Sequence, residues 1–256
     1  MENICRRIEG HLLSLQSLVN DVKDIGYAKL VSNRRIPVTS YNQAYMVNVT
    51  ESEAQKLIAD VTGYYKSMGV NPCFVVSPVT RPPNFSSSLL GAGFKVVLEE
   101  DAMVYEAGSK DFKAVPDVNV VAYDESLLDV WTDVNIKGFG VPVVLRDAFL
   151  DMFRKASQYK GTKSYLGYYK GKPAGVCGLV SFNDVGGIFS VGTVPEHRRK
   201  GVATSLLLKA IADSLSTGDS LLYLITIKGS DAERLYTSLG FQVAYTYRRY
   251  ELQSQK

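Results

Sequence analysis

The chain has 256 residues, 46% apolar and 21% charged, an ordinary globular composition with room for one large or two small domains. A net charge of +3 is too small to argue for a nucleic-acid partner. Cys5, Cys73 and Cys177 are scattered and make neither a metal spacing nor a disulfide framework, no apolar run reaches a membrane span, and the N-terminus lacks a signal-peptide core, so a cytoplasmic protein that needs no metal and no membrane is the expectation.

In chain order, Ile4, Ile8, Leu12, Leu15, Val19 and Val22 recur at spacings of three and four, which predicts an amphipathic helix over 2–25. Strand character follows, ending over 44–49. Thr50 and Glu53 form a T-x-x-E capping box opening a helix through Ala54, Leu57, Ile58 and Val61. A strand is expected at 73–76, a short helix around 86–90, and a strand pair from Gly93-Phe94 to Tyr105. The small-residue stretch 107–110 reads as a linker and divides the chain into domains 1–110 and 111–256.

Beyond it, a strand is expected at 118–122, helices at 126–139 and 144–159, and strands at 164–169 and 174–181 joined by a turn at 170–173. Then come a strand over 187–194, a helix from Gly201 to about Leu215, a strand over 221–227, a short helix over 231–239 and a terminal strand from Gly240-Phe241. Both halves therefore end in the same order, each with Gly-Phe after a short helix. That order points to a duplication.

The stretch from Thr193 to Thr204 carries the most chemistry. An apolar strand runs into a basic turn, Arg198-Arg199-Lys200-Gly201, and a helix starts at once. Such a turn aims unpaired backbone N–H groups and the positive end of a helix dipole at one spot, and pyrophosphate is the fitting anion. Gly201 would let the backbone approach without a Cβ. A plain basic turn before a surface helix is the bland alternative.

Arg198-x-x-Gly201-x-Ala203 fits the Q/R-x-x-G-x-G/A signature, and the second half resembles the GNAT acetyltransferases over about 115–253. The resemblance implies an α/β fold with a mixed, mostly antiparallel sheet flanked by helices, and acetyl-CoA as co-substrate. It implies that the N–H groups of Arg199 through Thr204 (Arg199, Lys200, Gly201, Val202, Ala203, Thr204) receive the phosphates, with charge-assisted contacts from Arg198, Arg199 and Lys200. The pantetheine arm would lie along Gly192, Thr193 and Val194, entering where this strand splays from its parallel neighbour. Backbone N–H groups near Val194 would stabilise the oxyanion.

The segment Asp231–Phe241 resembles the family's A-x-x-L-Y-x-x-L-G-F, which would make Tyr236 the acid that protonates the thiolate; a core tyrosine is the other reading. Ser230 stands where many relatives have asparagine and either bonds the CoA arm or caps the next helix. The strand 187–193 has neither carboxylate nor histidine, so no general base is assigned; Asp133, Asp147 and Asp184 merely precede the core, and His197 reads as a surface residue. The first half more faintly resembles the same family over about 27–107. It has Val49-Thr50-Glu51-Ser52-Glu53-Ala54 at the matching turn and Leu89 at the tyrosine position, so it reads as a degenerate module. The expected reaction is acetyl transfer to an amine of a small molecule or peptide. A non-catalytic acyl-CoA-binding sensor or partner-binding module is the alternative, and neither the acceptor nor the oligomeric state can be read from the residues.

Overall fold

The structure is a computed structural model that describes residues 2–106 and 115–253. In chain order it contains α1 (Glu2–Val19), β1 (Asp21–Asp24), β2 (Lys29–Ser32), β3 (Gln43–Tyr45), α2 (Ala54–Ser67), β4 (Cys73–Val76), α3 (Phe85–Gly91) and β5 (Phe94–Tyr105). These are followed by β6 (Val118–Ala122), α4 (Leu128–Phe139), α5 (Arg146–Ser157), β7 (Thr162–Tyr169), β8 (Lys172–Phe182), β9 (Val185–Thr193), α6 (Val202–Thr217), β10 (Leu221–Ile227), α7 (Asp231–Ser238) and β11 (Phe241–Leu252). The fold is mixed α/β with mostly antiparallel pairing. The linker expected at 107–110, and with it the boundary at 110, lies outside the described residues.

Three expectations changed. The first helix stops at Val19, and Val22 instead pairs with Val31 across a β1–β2 hairpin. The cause is a local turn: the Asp24 carboxylate accepts the Gly26 N–H at 2.8 Å, and Gly26 sits at φ 88, so the chain folds back where helical periodicity alone would continue. The strand pair expected over 93–105 is one continuous strand, β5. The capping box is only half formed. Glu53 reaches back to the Thr50 N–H at 2.9 Å, but the Thr50 hydroxyl also bonds the Glu53 carboxylate, at 2.7 Å, and α2 starts at Ala54.

The chain forms two compact units. One comprises residues 1–102, 226–230 and 243–256, and the other 103–225 and 231–242; β5 and β11 each begin in one unit and end in the other. In the first unit the strands run in the order β1-β2-β3-β4-β11-β5, with β3 and β4 parallel and β4 and β11 antiparallel. Leu57, Ile58, Val61 and Tyr65 of α2 pack with Leu30, Ala44, Phe74, Phe85 and Phe94 to make its core.

In the second unit the order is β10-β9-β8-β7-β6. Alternate residues of each strand face opposite sides. Tyr165 and Cys177 thus join Val202, Leu206, Leu207 and Ala210 of α6 on one face. Their neighbours Leu166 and Val176 join Trp131 and Val134 of α4 on the other. In both units a long helix links two parallel strands, β3-α2-β4 and β9-α6-β10, and a short helix and another strand follow.

Candidate functional site

The pairing of β9 with β10 runs from Val185/Leu221 to Ile188/Leu224, and β9 then continues along β8 to Thr193. The reason is a bulge. Phe189 pairs with Gly178 and Gly192 with Val176, so Ser190 and Val191 together face Cys177. Ser190 takes φ 54, an uncommon conformation for a residue with a Cβ, and such a bulge bends its strand. Ser190 to Thr193 lie beyond the last β10 partner, as the splayed strand requires.

The register decides which N–H groups are available there. The Val194 N–H donates to the Ala174 carbonyl at 2.9 Å, so among the N–H groups near Val194 its own is already used. Antiparallel pairs alternate, and the neighbouring Thr193, opposite Gly175, therefore turns its N–H and C=O away from β8. The Thr193 carbonyl indeed accepts from the Arg198 guanidinium at 3.3 Å.

After β9 the chain makes one 3₁₀ turn over Pro195–His197, extends at Arg198, and turns left-handed at Arg199 (φ 60) and again at Gly201 (φ 79), which caps α6. A Cβ at Gly201 would stand 2.5 Å from a Val115 methyl carbon, so glycine is needed both for the dihedral and for the close approach. The Ser205 N–H returns to the Gly201 carbonyl at 3.0 Å and begins the helical ladder. Among the described residues no acceptor receives the N–H groups of Arg199, Lys200, Gly201, Val202, Ala203 or Thr204. Six consecutive donors and the positive end of a four-turn helix make a cradle for a polyanion.

The basic side chains divide differently from the sequence expectation. The Arg198 guanidinium is a clamp: it donates to the Gly138 carbonyl at 3.0 Å as well as to Thr193, and its own N–H is taken by Pro195. Arg199 pairs with Asp231 at 2.6 Å, an exposed pair of small worth that an incoming phosphate can replace. Lys200 has no ion pair among the described residues, so its charge is uncommitted there.

Tyr236 is 6% exposed and sits in the core beside Cys177, Ile188 and Phe241. Burial, followed by the Cys177 thiol, pushes its phenol well above the ordinary range, so it stays protonated at neutral and mildly alkaline pH. Ser230 belongs to the first unit, where its hydroxyl lies 3.2 Å from that of Thr226. The carboxylates that precede the core are engaged: Asp133 with Arg146 at 2.6 Å, Asp147 near the same guanidinium at 3.8 Å, and Asp184 with the Ser220 hydroxyl. His197 lies against the Tyr169 ring, their centroids 5.5 Å apart.

The sequence reading missed Phe139, whose ring lies against Gly192, and Val115, which closes on Gly201. The run Gly138-Phe139-Gly140, an aromatic between two glycines at a helix end, was the available signal for the first. Among the described residues no group of histidine, cysteine and carboxylate side chains is placed to hold a metal ion, and no helix is long and apolar enough to cross a membrane.

Residues 129–241 match the family described as "Acetyltransferase (GNAT) family". Among solved structures, a GCN5-related N-acetyltransferase from Kribbella flavida is 15% identical, with 97% of this chain and 95% of that one covered at a TM-score of 0.74. One from Sphaerobacter thermophilus is 17% identical, with 90% and 78% covered at 0.69. A tandem GNAT protein from the clavulanic acid biosynthesis pathway, solved without AcCoA, is 13% identical, with 90% and 79% covered at 0.64. At such identities these likenesses concern the fold. No curated protein matched the sequence.

Proposed function

From the membership of residues 129–241 in the GNAT acetyltransferase family, we propose that this protein is an N-acetyltransferase that moves an acetyl group from acetyl-CoA to an amine. The observation that carries the reading is the row of six N–H groups, Arg199 to Thr204, without an acceptor among the described residues. A pyrophosphate is the ligand of acetyl-CoA that fits such a row, and Lys200 adds charge beside it. The pantetheine arm lies along Gly192 and Thr193 where β9 has left β10, adding hydrogen bonds as an extra strand does.

The Thr193 N–H, rather than that of Val194, receives the thioester oxygen as negative charge develops on it. The amine nitrogen forms the new bond to the acetyl carbon as the carbon–sulfur bond breaks. Tyr236 gives its proton to the departing sulfur and regains one from solvent, and its raised pKa keeps it protonated between turnovers at neutral pH. The proton lost by the amine leaves to solvent, since no side chain on β9 is a base. Residues 111–256 carry this chemistry. Residues 1–110 are a degenerate copy that has kept the strand–helix–strand order and lost the anion turn.

Free-thiol release from acetyl-CoA with a panel of amines tests the proposal. Amine-dependent release is the expected result. Tight acetyl-CoA binding with no release under any amine would make the protein an acyl-CoA sensor instead, the reading that the absence of a carboxylate on β9 favours.

A further inference from the structure

We infer that Phe139 is a specificity-determining residue that selects an amine acceptor with an aryl or branched alkyl group, in preference to a polycationic one. The inference rests on the proposal that β9 lies beside the thioester.

Phe139 ends α4, and one edge of its ring lies 2.8 Å from where a Cβ at Gly192 would stand. Any larger residue at 192 would push the ring off β9. The preceding residue is fitted just as closely: a Cβ at Gly138 would stand 3.4 Å from the Thr193 nitrogen. The Arg198 clamp then ties the Gly138 carbonyl to the Thr193 carbonyl. Two glycines and a guanidinium thus fix one phenyl ring against Gly192, and the residue before it against Thr193. Packing does not explain this precision, because the ring is 53% exposed. A half-exposed aromatic pinned on β9 at Gly192, one residue before Thr193, is built to touch something that comes and goes.

The chemistry around it defines what that is. The loop that continues from Phe139 is apolar, with Val143 75% and Val144 89% exposed. The described carboxylates of α4, of the start of α5 and of the turn after β9 are paired with cations. Asp129 and Asp133 of α4 both hold Arg146, Asp147 stands by the same guanidinium, and Glu196 holds Lys137. A polycation would have to displace these pairs, whereas an apolar group covers the ring at no electrostatic cost.

The test uses the full chain with acetyl-CoA and three amines: 2-phenylethylamine, isoamylamine and spermidine. We expect kcat/KM for the two apolar amines to exceed that for spermidine by about tenfold or more, the range of an apolar pocket contact. Phe139→Ala should lower the apolar amines' kcat/KM by about tenfold through KM, with spermidine unchanged. Phe139→Leu should restore most of the loss, and calorimetry should give both variants the wild-type acetyl-CoA affinity. A preference for spermidine, or a Phe139→Ala loss equal for all three amines, overturns the inference while leaving the acetyltransferase reading intact. Weakened acetyl-CoA binding in Phe139→Ala also overturns it, since the ring would then belong to the co-substrate's wall. A wild-type chain that does not bind acetyl-CoA fails the underlying reading instead.

Discussion

The turns that open α2 and α6 occupy the same place in two units of like order and do opposite things with their backbone. Before α2, the Glu53 carboxylate accepts both the N–H and the hydroxyl of Thr50, and the N–H groups of Glu53 and Ala54 bond the carbonyls of Thr50 and Glu51. The turn is satisfied from within and carries negative charge. Before α6, Arg199 and Gly201 are both left-handed, and six N–H groups have no hydrogen-bond acceptor among the described residues. The same architectural position is therefore closed by an internal anion in one unit and left ready for an external one in the other.

The largest expected effect comes from closing the open turn. Gly201→Val puts a branched side chain at φ 79 and against Val115, so the turn must move and the row of donors is lost. Losing two or more charge-assisted bonds should weaken acetyl-CoA binding at least about 100-fold by calorimetry, in a variant whose circular dichroism shows it folded. Unchanged affinity would place the phosphates elsewhere. Next, Tyr236→Phe keeps the ring and removes the proton; kcat should fall by roughly 100-fold with acetyl-CoA affinity unchanged. In the wild type, the raised phenol predicts no loss of kcat from Tyr236 ionisation up to about pH 10, its ordinary value. A full-rate Phe variant returns Tyr236 to a packing role.

Smaller effects sharpen the contrast. Lys200→Ala removes one exposed charge and should weaken acetyl-CoA binding by about threefold to fivefold, more at low salt than at high. A salt-independent result would argue against a phosphate contact. Glu53→Gln should leave acetyl-CoA affinity unmoved and lower the melting temperature slightly. The Thr50 N–H and hydroxyl hold the Glu53 carboxylate below the usual range, so that contribution is present at neutral pH and fades as pH falls through its depressed pKa. A melting difference that grew in acid would contradict the cap.

Much of this contrast was legible in the residues. Glycine, three basic side chains and an immediate apolar helix marked the α6 turn, and two glutamates marked its closed counterpart. Strands β6 and β10 fall at the residues expected for them, since Val, Ile and Leu runs bounded by turn residues leave little choice. What escaped depends on three-dimensional partners. Arg198 is as basic in sequence as Lys200, and only the Gly138 and Thr193 carbonyls turn it into a clamp. The use of the Val194 N–H by Ala174 follows from the strand register, which a bulge at Ser190 resets. Phe139 and Gly192 are far apart along the chain, and each is unremarkable until they meet.

The central claim is that the chain holds one anion turn and not two. Calorimetric titration of the intact protein with acetyl-CoA tests it most directly. One site per chain is expected, with affinity falling as salt rises because phosphates are being neutralised. Two sites per chain, or a single site whose affinity ignores salt, would contradict it.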